Sequence, residues 1–291
     1  MKYLILGAGG QLGSEWIQVM EHREAGDSTV KGLSSAELDI TDYDALKATL
    51  HSEEPDLIIN CAAYTDVDGA EEDREIARRV NSGAVANLAN LCSRSGCKLV
   101  HFSTDYVFSG SLSDRMKFPR GYPEEHRTAP VNWYGETKWR GEQAIRQSGV
   151  EHLIIRVSWL CGQYGRNFVT TMLELARKRD FLDVVNDQWG SPTFTRQVVD
   201  QTLTLLRKSL TGTYHLTSKG VITWYDLAKE IFTLKKMDIK VKPVSSERFA
   251  GTAARPAFSK LDTRKFEEQT GDKVIDWRLG LENLLTQLDN H

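Results

Sequence analysis

Lys2-Tyr3-Leu4-Ile5-Leu6 runs directly into Gly7-Ala8-Gly9-Gly10-Gln11-Leu12-Gly13, and this junction decides how the chain is read. The apolar run is too short for a core helix, and the segment Ser14 to Glu21 that follows the glycines has helical potential. Strand, tight turn and helix start follow in that order. Each glycine has a mechanical use at this spacing. Gly7 makes the turn, Gly10 lets the backbone approach a diphosphate, and Gly13 lets helix pack on strand. The open N–H groups at the helix start then face the phosphate charge.

Downstream the same alternation continues. Ser28 to Leu33 is a weak second strand, and Thr41 or Asp42 caps a helix over Tyr43 to Leu50. Leu57 to Ala63 is a continuous apolar run of the kind buried in parallel sheets, Val67 to Arg79 and Asn81 to Ser95 have helical spacing, and Lys98 to Thr104 is again a strand. Helix Trp133 to Gln147 and strand His152 to Val157 complete the pattern. It predicts an α/β fold with a doubly wound parallel sheet.

Between Ser109 and Asn132 the composition turns to Gly, Pro, Arg and Glu without periodicity, which predicts a long surface loop. Beyond Trp159 the elements shorten: helix Asn167 to Lys178, strand Leu182 to Val185, loop Asn186 to Thr193, helix Arg196 to Arg207, strand Tyr214 to Leu216, helix Trp224 to Thr233 and a Pro-punctuated tail. The expected division is a dinucleotide-binding domain over 1–158, to which a segment of about 186–216 returns, and a smaller lobe of 159–185 and 217–291.

Composition excludes several function classes. At 291 residues the chain can bury a sizeable core, and with 40% hydrophobic and 26% charged residues it reads as an ordinary globular protein. A net charge of −3 leaves no basic footprint for nucleic acid. No run approaches the roughly 20 apolar residues of a membrane span, and the opening strand breaks too early for a signal peptide, so a cytoplasmic setting is expected. Cys61, Cys92, Cys97 and Cys161 fit no metal-ligand spacing and are too sparse for a disulfide framework. No metal site is expected.

Chemistry concentrates at two places. Tyr134-Gly135-Glu136-Thr137-Lys138 puts a phenol and an ammonium four residues apart on one helix face. A nearby ammonium favours phenolate and draws the phenol from its usual pKa of about 10 toward neutrality, as proton transfer requires. Ser103-Thr104-Asp105-Tyr106-Val107-Phe108 closes a predicted parallel strand, where doubly wound sheets bind ligands. A hydroxyl there can hold a carbonyl oxygen while the tyrosine protonates it.

Taken with Asn60-Cys61-Ala62-Ala63-Tyr64-Thr65, these motifs resemble the extended short-chain dehydrogenase/reductases. More narrowly, Gly10 to Gly13, Leu38 to Asp42, Tyr64 to Glu71, Asn167-Phe168-Val169, Asn186 to Thr193, Arg255-Pro256 and Ser259-Lys260-Leu261 resemble the dTDP-4-dehydrorhamnose reductase family. The resemblance implies a Rossmann-type sheet with a mainly C-terminal substrate lobe, and reduction of the C4 ketone of dTDP-4-dehydro-L-rhamnose by NADPH or NADH. It makes Thr104, Tyr134 and Lys138 the catalytic set. Around the cofactor it places Gly7, Gly10, Gln11, Leu12, Asp39, Ile40, Ala62, Ala63, Tyr64, Thr65 and Phe102, with Tyr134 and Lys138. The nucleotide sugar falls to Thr104, Asp105, Trp159 and Arg255, and a homodimer is compatible with the family. Arg156, Arg166 and Arg196 are further candidates for the diphosphate, since guanidinium binds phosphate in bidentate fashion.

The stretch after the second strand, Lys31-Gly32-Leu33-Ser34-Ser35, lacks the acidic residue that usually holds the ribose of NAD, so tolerance of NADPH is expected. Rival readings are another nucleotide-sugar reductase or epimerase on the same fold, and a non-catalytic regulatory subunit of the methionine adenosyltransferase type. His101 and His215 lie in predicted strands and read as core histidines, and Glu124 after Tyr122 reads as a loop anchor.

Overall fold

The computed structural model describes residues 1–23, 28–249 and 251–290. In chain order its elements are β1 (Lys2–Leu6), α1 (Gln11–Arg23), β2 (Thr29–Leu33), α2 (Tyr43–Glu53), β3 (Leu57–Asn60), α3 (Gly69–Glu72), α4 (Arg74–Arg78), α5 (Val85–Ser95) and β4 (Lys98–Thr104). They continue with α6 (Asp114–Lys117), α7 (Trp133–Ser148), β5 (His152–Val157), β6 (Leu160–Cys161), α8 (Phe168–Ala176), β7 (Phe181–Val185), β8 (Trp189–Gly190), β9 (Thr193–Phe194) and α9 (Thr195–Arg207). The rest are β10 (Gly212–His215), β11 (Ile222–Thr223), α10 (Trp224–Leu234), β12 (Lys240–Val244), α11 (Arg264–Thr270) and α12 (Trp277–Asp289).

Six strands form one sheet in the order β10-β5-β4-β3-β1-β2, every pairing parallel. Successive side chains of a strand leave opposite faces, so the strands build two cores at once. Ile5, Val100 and Phe102 join Trp16, Val19, Val198 and Leu203 on the face covered by α1 and α9. Leu4, Leu6 and Leu99 join Leu46, Leu88, Ala89 and Ile145 on the face covered by α2, α5 and α7. The chain reverses its winding between β1 and β3, and the segments leaving those strands open a crevice there.

A third apolar cluster gathers Met172, Leu182, Leu227, Ile231, Leu281 and Leu284 from α8, β7, α10 and α12. Three two-stranded sheets serve this part of the chain: β12 with β7, β11 with β8, and β6 with β9. Thus 189–194 pairs with small sheets, while α9 and β10 join the large one.

The structure corrects several expectations. Strand β3 stops at Asn60, because the Asn60 side chain accepts from Ala62 N and turns the chain out of the sheet. The stretch read as helix over Val67 to Arg79 is broken into α3 and α4 and continues as a π-helical turn at Arg79–Ala84. The expected surface loop of 109–132 is a packed strap. It contains α6, buries Tyr122 and Glu124, and bridges Tyr122 to Leu261 in parallel fashion. Tyr122 OH donates to Asp114 Oδ2 at 2.8 Å, and Glu124 Oε1 accepts from His215 N at 3.0 Å, so Glu124 does anchor the strap. The tail also holds β12, α11 and α12. No helix among the described residues is long and apolar enough to cross a membrane, and the cysteines are free thiols.

Candidate active site

Gly7 sits at φ +74°, and a Cβ there would lie 2.6 Å from Ala62 N. A side chain at Gly13 would overlap the Gly7 carbonyl oxygen. These two glycines therefore let the turn after β1 press against the segment leaving β3 and let α1 pack on the turn. Gly10 N donates to Gly7 O at 3.0 Å, closing the loop ahead of α1. The first amides of α1 lack partners within the helix and give the crevice a positive end.

The other residues expected around a dinucleotide divide into two kinds. Leu12, Ile40 and Phe102 bury their side chains in the cores. Gln11 ties the glycine turn to the distal part of the chain: its Nε2 donates to Leu160 O at 3.2 Å and its Oε1 accepts from Asn167 Nδ2 at 2.9 Å. Asp39 accepts from Thr41 N and Oγ1, at 2.9 and 2.8 Å, and shapes the loop before α2. Ala63 is half-buried and Thr65 exposed.

Asn81 holds the β3 segment in place. Its Oδ1 accepts from Tyr64 N at 2.9 Å, and its Nδ2 donates to Tyr64 O and to Thr137 Oγ1. Ser82 donates to Thr137 O at 2.8 Å. The π-helical turn thus clamps Ala62 to Tyr64 against α7, a use of irregular helix frequently found at functional sites. Neither Asn81 nor Ser82 stands out in the sequence, because only the turn brings them there.

The stretch Lys31 to Ser35 holds no carboxylate, but one reaches the end of β2 from beyond it. Glu37, from the following loop, accepts from Ser34 N at 2.8 Å and Ser34 Oγ at 2.7 Å. Those bonds hold its carboxyl below the usual range. A Cβ on Gly9 would touch Ser34, so this carboxylate stands beside the glycine turn.

Tyr134 and Lys138 lie on α7, which Asn132 caps by accepting from Gly135 N at 2.8 Å. The ring of Tyr134 meets that of Tyr106 edge to face, 5.6 Å between centroids. A Cβ on Gly135 would overlap the Tyr106 carbonyl, so the glycine lets α7 close on the segment after β4. That segment brings Thr104, whose hydroxyl donates to Asp105 Oδ1 at 3.0 Å.

The electrostatics depart from expectation. The Tyr134 phenol is held above its ordinary range, first by burial and then by the Asp105 carboxylate, with the Thr104 hydroxyl opposing. Lys138 Nζ lies 3.4 Å from His101 Nε2, and burial pushes its own pKa down to about 8. Asp105, buried and with Oδ2 lacking a partner among the described residues, is pushed up to about 7.

A cavity of about 1120 Å³ is lined by Phe168, Met172, Trp224, Arg179, Arg248 and Arg255, among others, and is tied to the start of α7 through its lining residue Ala254, whose carbonyl accepts from Asn132 Nδ2 at 2.9 Å. Trp159, at φ +48°, stacks on Trp224 with 3.6 Å between centroids, and Gly190 leaves room for its ring. A non-glycine residue in this region of backbone space marks a constraint imposed by the surroundings. Arg255 donates to Asp68 Oδ2 at 2.6 Å, joining the cavity to the segment after β3. The other three candidate arginines do not line the cavity. Arg156 is buried and bidentate on Glu142, at 2.9 and 2.7 Å, and Arg196 pairs with Asp200. Arg179 and Arg248 were not singled out in the sequence, since nothing local to them signals the cavity.

A family model described as the RmlD substrate binding domain matches residues 1–290. The chain is similar to the dTDP-4-keto-6-deoxy-D-glucose reductase of Streptomyces niveus, 37% identical over 96% of this chain and 95% of that one. It is similar to the dTDP-4-dehydrorhamnose reductase of Escherichia coli K12, 35% identical over 99% and 98% of the two chains. Among solved structures, that of a Bacillus anthracis dTDP-4-dehydrorhamnose reductase in complex with NADP superposes with a TM-score of 0.92 at 37% identity, covering 98% of this chain and 99% of that one.

Proposed function

The chain belongs to the RmlD substrate binding domain family, and from that membership we propose that it reduces the C4 ketone of a dTDP-4-dehydro-6-deoxy sugar with NADPH, converting dTDP-4-dehydro-L-rhamnose to dTDP-L-rhamnose. The observation that supports the reading is that α7, which carries Tyr134 and Lys138, closes at Gly135 and Tyr134 on Tyr106, in the segment that leaves β4 through Thr104.

The residues present fit a dinucleotide. A side chain at Gly7 or Gly13 would push apart the backbone that forms the turn, and the α1 amides suit a diphosphate. NADPH, when bound, supplies the hydride. The protein's part is placement and charge. Thr104 donates to the C4 carbonyl oxygen, and Tyr134 gives its proton to that oxygen as charge develops there. The raised pKa keeps the phenol protonated at neutral pH, which is the form a reductase needs first. Lys138 binds the nicotinamide ribose, and Asp105 accepts from a sugar hydroxyl. We assign the nucleotide and its diphosphate to the cavity, where Trp224 and Phe168 offer apolar faces and Arg179, Arg248 and Arg255 offer counter-charge. This divides the chain into a cofactor half on the large sheet and a nucleotide-sugar half built on the third core. The reading places the activity in the cytoplasm.

The test is NADPH consumption by the purified protein with dTDP-4-dehydro-L-rhamnose, with the product identified. Tyr134→Phe should abolish it while leaving the fold and NADPH binding intact. Turnover by Tyr134→Phe at the parent rate would refute the assignment.

A further inference from the structure

The side-chain amide of Asn132 joins two distant parts of the chain, and both of its ends are fixed. Gly135 N–H, a donor only, bonds Oδ1 at 2.8 Å, and the Ala254 carbonyl, an acceptor only, bonds Nδ2 at 2.9 Å. Asn132 is 9% exposed, so water does not readily replace either partner. One bond caps α7 beside Tyr134. The other reaches the 251–255 segment, every residue of which lines the cavity assigned to the nucleotide.

The same two parts are also joined through α3. Asp68, just ahead of α3, accepts from Ala253 N at 2.9 Å and pairs with Arg255 at 2.6 Å. Within α3, Glu71 Oε1 accepts from Trp133 N at 2.8 Å, at the first residue of α7. Segment 251–255, α3 and the start of α7 are thus linked pairwise into a closed ring. A closed ring fixes three bodies relative to one another, whereas removing one link leaves a hinge.

Capping alone does not explain the residue. An N-cap needs an acceptor, which aspartate and serine supply about as well as asparagine. Asparagine adds a donor on a separate atom. Aspartate has no donor, and the serine side chain is too short to span both partners. From this geometry we infer that Asn132 is a positioning residue, which registers the nucleotide-binding segment 251–255 against the helix start that carries Tyr134. A sugar anchored by its nucleotide then meets the phenol in line. Misplacement by about 1 Å costs on the order of a hundredfold in rate, so this register matters more to turnover than to folding.

The inference rests on the proposed roles of Tyr134 and the cavity. Its first test uses Asn132→Ser and Asn132→Asp, both of which keep the cap and lose the bond to Ala254. Each should melt close to the parent and bind NADPH with unchanged affinity. At saturating dTDP-4-dehydro-L-rhamnose, the single-turnover rate of NADPH oxidation should fall at least tenfold, while the KM for the sugar moves less than about threefold. A residue that only capped the helix would leave that rate unchanged in both variants.

The second test needs no reaction. Thymidine diphosphate added to the parent should shift the nuclear magnetic resonance signal of the Gly135 amide, and in Asn132→Ser it should still bind but leave that signal in place. A parental rate in either folded variant, a loss confined to KM, or an unmoved Gly135 signal in the nucleotide-bound parent would each overturn the inference. Failure of both variants to fold would make the Ala254 bond structural and overturn it as well. A parent that neither turns over nor binds the nucleotide would instead refute the proposed function itself.

Discussion

Thr104 Oγ1 donates its one hydrogen to Asp105 Oδ1 at 3.0 Å, while Tyr106 N donates to the same oxygen of Thr104 at 3.2 Å. To hold a substrate carbonyl, Thr104 must turn that hydrogen away from Asp105. The carboxylate then needs another donor, and its Oδ2 already lacks one among the described residues. A sugar hydroxyl would satisfy it, so substrate binding and Thr104 reorientation are coupled through this pair.

The same burial has a consequence for stability. Asp105 is pushed from 3.8 up to about 7, so the native state binds more protons than the unfolded state between those values. Stability therefore falls as pH rises through that window. Asp105→Asn removes the dependence. The variant should melt above the parent at alkaline pH, by a margin of no more than a few kcal/mol that grows from about pH 4 to pH 7 and is flat beyond. It should also lose affinity for the nucleotide sugar. Thermal denaturation across pH checks this, and parallel melting curves for the two proteins would contradict it.

Gly135→Ala sets two principles against each other. Alanine is the better helix former by about 1 kcal/mol, so α7 alone would gain. A Cβ at this position, however, would overlap the backbone oxygen of Tyr106, and backbone does not yield as a flexible side chain does. Overpacking of this kind costs about 1–3 kcal/mol, and packing wins. The variant should melt lower than the parent and lose kcat more than NADPH affinity, because the displaced element carries Tyr134. Unchanged melting and kcat would show that α7 can retreat without harm.

Much of this could be read in the chain before folding. Lys98 to Thr104 and His152 to Val157 each centre on apolar residues whose burial on both faces leaves little choice of element. Thr104, Tyr134 and Lys138 were legible because their spacing is local. The partners that surround them were not. His101 reads as core and is core, yet it faces Lys138 only because α7 packs over β4. Asn81 depends on a π-helical turn, and Arg179 and Arg248 depend on how the third core closes. In the tail, Leu281, Leu284 and Leu285 have the helical spacing of the buried face of α12.

Glu37 gives a prediction about cofactor choice. Its carboxylate is fixed by Ser34 at the end of β2, where dinucleotide-binding sheets place the ribose of the adenosine. A negative charge there favours ribose hydroxyls and opposes a 2′-phosphate. Glu37→Gln keeps the shape and removes the charge. The ratio of kcat/KM for NADPH to that for NADH should rise several-fold, chiefly through a lower KM for NADPH. A ratio unchanged at low ionic strength, where the charge is least screened, would place the 2′ position away from Glu37.

Arg255 is joined to Asp68 at 2.6 Å, and Asp68 Oδ1 also accepts from Ala253 N at 2.9 Å. The side chains of this pair are 32% and 41% exposed, which limits its worth to stability to about 1 kcal/mol or less. Its use is then positional, holding the 251–255 segment over the cavity with a guanidinium on its lining. Arg255→Ala should leave the melting temperature nearly unchanged and raise the KM for the nucleotide sugar about tenfold or more, with little effect on that for NADPH. Arg255→Lys should recover only part, since an ammonium lacks the planar fork that meets phosphate oxygens in pairs. Asp68→Asn separates the two functions of the pair: it keeps the guanidinium and loosens its seat, so the same KM should rise by a smaller factor. Equal effects of Arg255→Ala on both KM values would remove Arg255 from the nucleotide-sugar site.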